Sequence, residues 1–196
     1  VDVVTAALAA IGAEGQLNSC IEVCRDQALA AAAAVDAKVA AGESLGRLAG
    51  LPIVVKANLD VAGTLSTAAT PALKDWRPSR TADCITPLVD AGAIVIAKTH
   101  MPELAHRGDG WSSLHGLCLN PLNRTRLPGG SSSGTGSPAL PPAPPAVAAP
   151  APPPARGPLA APECWFAVFW MGLRSPGGVL KPRTLHRELR LSLLPL

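Results

Sequence analysis

Two stretches of this 196-residue sequence hold residue types that could do chemistry. The first is PIVVKAN, Pro52–Asn58, in which Lys56 ends an apolar run. A lysine there is ordinarily a solvated cation at a strand end, because lysine is seldom buried. Burial would disfavour the ammonium and make the amine a usable general base. The second is PGGSSSGTGS, Pro128–Ser137, with three adjacent hydroxyls at Ser131, Ser132 and Ser133 among glycines. By itself it reads as a flexible Gly/Ser linker or as a phosphate cradle. A Walker loop, however, needs Gly-Lys-Ser/Thr at its end, and here Thr135 follows Gly134.

The elements that must position these residues are legible from apolar patterning. Val1–Ile11 is apolar, rich in small residues and helical in expectation. Asn18–Cys24 reads as a short strand. Arg25–Glu43 is dense in alanine, the best helix former, with Leu29, Val35 and Val39 marking its apolar face and Gly42 as a stop. Ile53–Val55 is a β-branched run that reads as a buried strand carrying Lys56 at its end. Ser66–Pro78 reads as a loop. Thr81–Ala93 predicts a helix capped by Thr81, with Ile85, Leu88 and Val89 inward, although Pro87 falls inside it. Ala93–His100 predicts a second buried strand, and Met101–Gly108 opens a short helix with Pro102 near its start. Continuous apolar strands separated by a helix predict an α/β fold whose parallel sheet is covered on both faces. In such sheets ligands sit beyond the carboxyl ends of the strands, where Lys56 lies.

Composition narrows the function classes. Length predicts one domain with a tail. No run of about 20 apolar residues indicates a membrane span, and residues 1–16 lack the basic and apolar regions of a secretory signal. Five cysteines at irregular spacing, with Cys20 and Cys24 lacking partners at zinc spacing, predict free thiols in a reducing cytoplasm and no metal site. Charge divides at one point. Residues 1–137 carry 11 Lys/Arg against 12 Asp/Glu, and residues 138–196 carry 6 against 2. Those six basic residues are dispersed and do not make a nucleic-acid-binding patch.

Three segments in this order carry a resemblance: GLPIVVKANLDVAGTLSTAATPAL (Gly50–Leu73), VDAGAIVIAKTHMPELA (Val89–Ala105) and NPLNRTRLPGGSSSGTGS (Asn120–Ser137). Together they resemble the amidase signature family of C–N hydrolases over about Leu8 to Ser137. The NLDVAGTLSTAATPAL stretch is similar to bacterial mandelamide, aryl-acetamide and indoleacetamide hydrolases. The resemblance implies a partial amidase-signature fold with a mixed or parallel sheet covered by helices. It implies a small-molecule amide substrate, no cofactor, and a Ser–cis-Ser–Lys triad. Lys56 matches the lysine. Ser131 matches the serine at a cis peptide bond, which relays a proton from the nucleophilic serine to the neutral lysine. Gly129, Gly130 and Ser132 match substrate-binding positions of the same loop. One small departure is Ala57, where the family often has Asp.

The large departure lies downstream. The family places its nucleophilic serine about two dozen residues after the cis serine, in a Gly-rich loop that also supplies the oxyanion hole. Here that slot falls near Ala155 in APAPPPARGP, and no serine occurs between Ser137 and Ser175. Ten of the 21 residues from Pro138 to Pro158 are proline, which excludes helix and central strand. Residues 1–137 therefore read as the N-terminal part of an amidase domain. Residues 138–196 read as a Pro/Ala-rich irregular segment, such as a frame-shifted translation of a GC-rich gene produces. Within it, Cys164–Leu173 is an apolar patch with no visible partner, and Lys181–Leu196 could form an amphipathic helix.

Three readings follow: a hydrolase lacking its nucleophile, an amidotransferase A-subunit sharing the same loop, and a non-catalytic interaction protein. The last would offer the polyproline pattern through Pro141 and Pro144.

Overall fold

The computed structural model describes residues 1–137 and the backbone of 168–170, 174–175 and 178–179. Helix α1 (Asp2–Ala13) and helix α2 (Arg25–Ala40) flank the short strand β1 (Cys20–Val23). In α1, Val4, Ala7, Leu8 and Ile11 are buried, the i, i+3, i+4, i+7 spacing of one helical face. That face meets Ala28 and Ala32 of α2, and Val54, Ile94, Ile96 and Ala97 of the sheet. Burial of a side chain such as Leu8 stabilises by roughly 1.5–3 kcal/mol. The contact face of α2 differs from expectation. Alanines make the close approach, Leu29 and Val35 pack at its margin, and Val39 is exposed. Gly42 does end the helix region: its φ is +68°, and the Glu43 N–H reaches back to the Lys38 carbonyl at 3.0 Å.

Strands β2 (Pro52–Lys56) and β3 (Ile94–Thr99) form the centre of the sheet. They run parallel, with Lys56 opposite Thr99 and Val55 opposite Lys98. The sheet is nevertheless mixed, because β1 runs antiparallel to β3. Continuous apolar strands report that both faces are covered, whereas strand direction depends on the path of the connections. The second face is covered by Val61, Ile85 and Ala93 with Leu88, packed on Ile53 and Val55.

Between β2 and β3 the helix is shorter than the sequence predicts. Helix α3 spans only Thr86–Asp90, with Pro87 in its first turn. Proline lacks the N–H and crowds the preceding turn, so the helix starts at Thr86 and holds Pro87 in its first turn instead of running through it. Thr81 does not cap it; its Oγ1 accepts the Ala62 N–H at 3.1 Å. Ile85 is buried, while Val89 faces solvent. Likewise Met101–Gly108 supplies only a single 3-10 turn, Glu103–Ala105, in which Leu104 has φ 51° and donates its N–H to the Ala68 carbonyl at 2.9 Å.

A two-residue ribbon, β4 (Trp111–Ser112) with β5 (Gly116–Leu117), precedes the Ser-rich loop and its one-turn helix α4 (Ser133–Gly136). The segment read as an apolar patch without a partner has one. Strand β6 (Val168–Trp170) pairs antiparallel with β2, opposite Val55, Val54 and Ile53. The sheet order is therefore β1-β3-β2-β6. A short hairpin, β7 (Arg174–Ser175) and β8 (Gly178–Val179), follows. The Pro-rich stretch with Pro141 and Pro144, and the amphipathic pattern from Lys181, lie outside the described residues.

Candidate functional site

The carboxyl ends of β2 and β3 are where the Ser-rich loop lands. Lys56 ends β2, behind three buried β-branched residues, and is itself only 5% exposed. Its Nζ donates to Ser131 Oγ at 2.7 Å. Burial lowers the Lys56 pKa below the ordinary 10.5, which favours the neutral amine. Ser131 follows a cis Gly130–Ser131 peptide bond and is half-buried.

The loop is held around that bond by its own residues. Gly129 has φ +87°, and its carbonyl accepts the Ser133 hydroxyl at 2.7 Å. At Gly130 a Cβ would stand 2.9 Å from Gly108 Cα. The Ser132 carbonyl accepts the Thr135 and Gly136 N–H groups that open α4. Gly134 N–H donates to the His100 carbonyl at 2.8 Å, and the His100 N–H donates to the Ser19 carbonyl, also at 2.8 Å. Thr135 Oγ1 lies 3.1 Å from Thr99 Oγ1, and Ser137 Oγ donates to the Leu119 carbonyl at 2.5 Å. The two strand-end neighbours, Lys56 and Thr99, therefore both grip this loop.

Sequence patterning did not single out Lys98, which follows an apolar run just as Lys56 does. Lys98 is fully buried, and its Nζ donates to Ser66 Oγ at 3.0 Å and to the Leu59 carbonyl. Burial pushes its pKa down to about 8, against the raising influence of Asp60, Cys24 and Glu22. His100 was missed as well. It is fully buried, with no hydrogen-bond partner on either ring nitrogen among the described residues. Its ring lies edge-on to His115, with centroids 5.9 Å apart. Burial first, then His115, pushes its pKa down to about 4; the nearby Gly116 backbone raises it slightly, at a geometry short of a hydrogen bond.

Cys20, Cys24, Cys84 and Cys118 are free thiols, and burial pushes Cys24 and Cys118 up to about 11. Among the described residues no cluster of His, Cys, Asp or Glu could hold a metal, and no helix is long and apolar enough to cross a membrane.

A neutral amine bonded to a serine hydroxyl can take that proton, so the pair can relay or start a nucleophilic attack.

A family model described as Amidase matches residues 2–139. The A subunit of glutamyl-tRNA(Gln) amidotransferase from Agathobacter rectalis is 39% identical over 135 residues, covering 68% of this chain and 27% of that protein. The native peptide amidase of Stenotrophomonas maltophilia superposes with a TM-score of 0.64 at 36% identity, over 68% of this chain and 29% of that one. A bacterial aryl acylamidase of the amidase signature family superposes with a TM-score of 0.65 at 27% identity, over 68% and 28%. The chain thus spans about a quarter of the length of the curated relatives it matches.

Proposed function

Because the chain belongs to the amidase family, we propose that it is the N-terminal part of an amidase that converts a small primary amide to acid and ammonia. The observation that carries this reading is the 2.7 Å bond from Lys56 Nζ to Ser131 Oγ at the carboxyl end of β2. In the complete triad, neutral Lys56 takes the Ser131 proton while Ser131 takes that of the nucleophilic serine. The serine attacks the amide carbonyl, and water later hydrolyses the acyl-enzyme. Gly129, Gly130 and Ser132 line the substrate side of the loop. The aryl-acetamide character of Asn58–Leu73 supports an aromatic amide as substrate.

This chain holds two of the three triad members. Residues 138–174 contain no serine, so the nucleophile's slot near Ala155 is empty of hydroxyls. We infer negligible turnover of amides. Ammonia release from phenylacetamide by the purified 196-residue chain tests this: the expected rate is that of buffer. Robust turnover lost in both Lys56→Ala and Ser131→Ala would overturn it.

One observation favours a second reading. The curated relatives that are 39–41% identical are named as A subunits of glutamyl-tRNA(Gln) amidotransferase. On that reading the chain derives from a component that feeds ammonia to a tRNA-linked acid. Binding to the other components of such a complex, measured with the same chain, separates it from a free-standing amidase.

A further inference from the structure

We propose that Ser131 is itself a nucleophile in this chain, and that Lys56 and Ser131 act as a two-residue dyad that accepts acyl groups from activated esters. The proposal rests on the placement of these residues at the amidase site, but it gives Ser131 a different task from the relay.

Three observations lead to it. The first is that the Lys56 amine bonds the Ser131 hydroxyl directly, at 2.7 Å. The second is reachability. Ser133 and Ser137 are fully buried, with their hydroxyls committed to the Gly129 and Leu119 carbonyls, and Thr135 is buried against Thr99. Ser131 is half-buried, as is Ser132, and Lys56, whose Nζ bonds Ser131 Oγ, is itself buried. The third is in the sequence: residues 138–174 offer neither Ser nor Thr to give its proton to Ser131. A base that would otherwise act through Ser131 then acts on Ser131.

The chemistry closes without a co-reactant. Ser131 Oγ–H attacks the carbonyl carbon of an aryl ester, and its proton passes to neutral Lys56 Nζ. The new Oγ–C bond forms and the C–O bond to the phenol breaks, so the phenolate leaves as the anion and Lys56 releases its proton to solvent. Water then attacks the acetyl group, giving a proton to Lys56, and acetate departs as Ser131 regains its hydrogen. An aryl ester suits this pair because its leaving group departs as a stable phenolate, whereas an amide nitrogen must be protonated to leave.

The test treats the full 196-residue chain with p-nitrophenyl acetate, quenches in acid, and maps acetylated peptides by mass spectrometry. The expected result is a burst of about one p-nitrophenolate per chain with acetyl on Ser131. Ser131→Ala abolishes that adduct, and Lys56→Arg, which keeps a long cation that cannot deprotonate, slows it roughly tenfold or more. Ser113→Ala, which removes an exposed hydroxyl bonded to Glu103, leaves the adduct at Ser131. Far-ultraviolet circular dichroism of each variant reports whether the fold persists. Acetyl scattered over lysines, or an equal Ser131 rate in a folded Lys56→Arg chain, would overturn the dyad. Phenylacetamide turnover is read in the same samples. Turnover without a Ser131 adduct refutes the dyad and places a nucleophile elsewhere. An adduct without turnover is the outcome expected of both this proposal and the function above.

Discussion

Lys56 and Ser131 are 75 positions apart in the chain and 2.7 Å apart at their functional atoms. The contact joins the end of a central strand to a loop that follows the whole of β3 and the β4–β5 ribbon.

The depressed Lys56 pKa has a pH signature. The neutral amine is the active base, so reactivity is gained as pH rises through its folded pKa. We expect the acetylation rate at Ser131 to rise with pH and level off below 10.5, the ordinary lysine value. Lys56→Arg should flatten the rise, because arginine stays charged. Stopped-flow release of p-nitrophenolate across that range is the measurement.

Gly134 is the residue that lets the loop sit against the strand ends. A Cβ there would stand 2.1 Å from the Ser19 carbonyl oxygen and 2.4 Å from the His100 nitrogen, both backbone atoms. Gly134→Ala should therefore cost about 1–3 kcal/mol and remove the Lys56–Ser131 contact. At Gly12, inside α1, a Cβ meets nothing within 4 Å. Gly12→Ala should stabilise by about 0.5–1 kcal/mol. Urea unfolding of the pair discriminates them, and a neutral Gly134→Ala would show that the loop is seated differently.

His100 predicts acid sensitivity. Its folded pKa is about 4 against an ordinary 6.5. Between those values the unfolded chain binds more protons, so stability falls as pH drops from 6.5 toward 4. His115, also held low by burial, acts in the same direction. The non-titrating His100→Asn variant should show a shallower acid slope in chemical denaturation. An unchanged slope would assign the effect elsewhere.

Lys98 makes the opposite end of the pH scale informative. Its folded pKa of about 8 lies below the ordinary 10.5, so between them the unfolded state binds the extra proton and stability rises with pH. The raised thiols Cys24 and Cys118 pull the other way above 9.0, so the comparison must be with Lys98→Met, not with neutrality. The native chain should gain on the order of 2 kcal/mol relative to Lys98→Met between about pH 8 and 10. Parallel stability curves for the two proteins would refute this.

Much of the frame was readable from residue order. The Ala-rich α2, the β-branched β2 and the apolar β3 follow from patterns that burial imposes on any chain, and both strands appeared within a residue or two of expectation. Lys56 and Ser131 stood out by residue type at a strand end and in a Gly/Ser loop, and the family resemblance is what gave them their roles. What patterning lost was lost to contacts distant in sequence. The shortened α3 reflects Pro87, but the fate of Thr81 was decided by Ala62 across a loop. The exposure of Val39 reflects how closely α2 approaches α1 and the sheet through alanines.

By itself, then, the sequence determined the apolar strands, the helix-forming stretches, the two reactive segments and the lack of any Ser from 138 to 174. Only the tertiary structure decided that Lys98, buried like Lys56 among the described residues, stands apart from the Gly/Ser loop to which the family resemblance had already assigned Lys56. Lys56 and Lys98 end similar apolar runs, yet one reaches Ser131 and the other Ser66 and the Leu59 carbonyl. The physical reason is register. Lys56 lies opposite Thr99, so Lys98 is one step out of phase with it on the neighbouring strand. Side chains alternate faces along a strand, and that single step sends the second amine away from the loop.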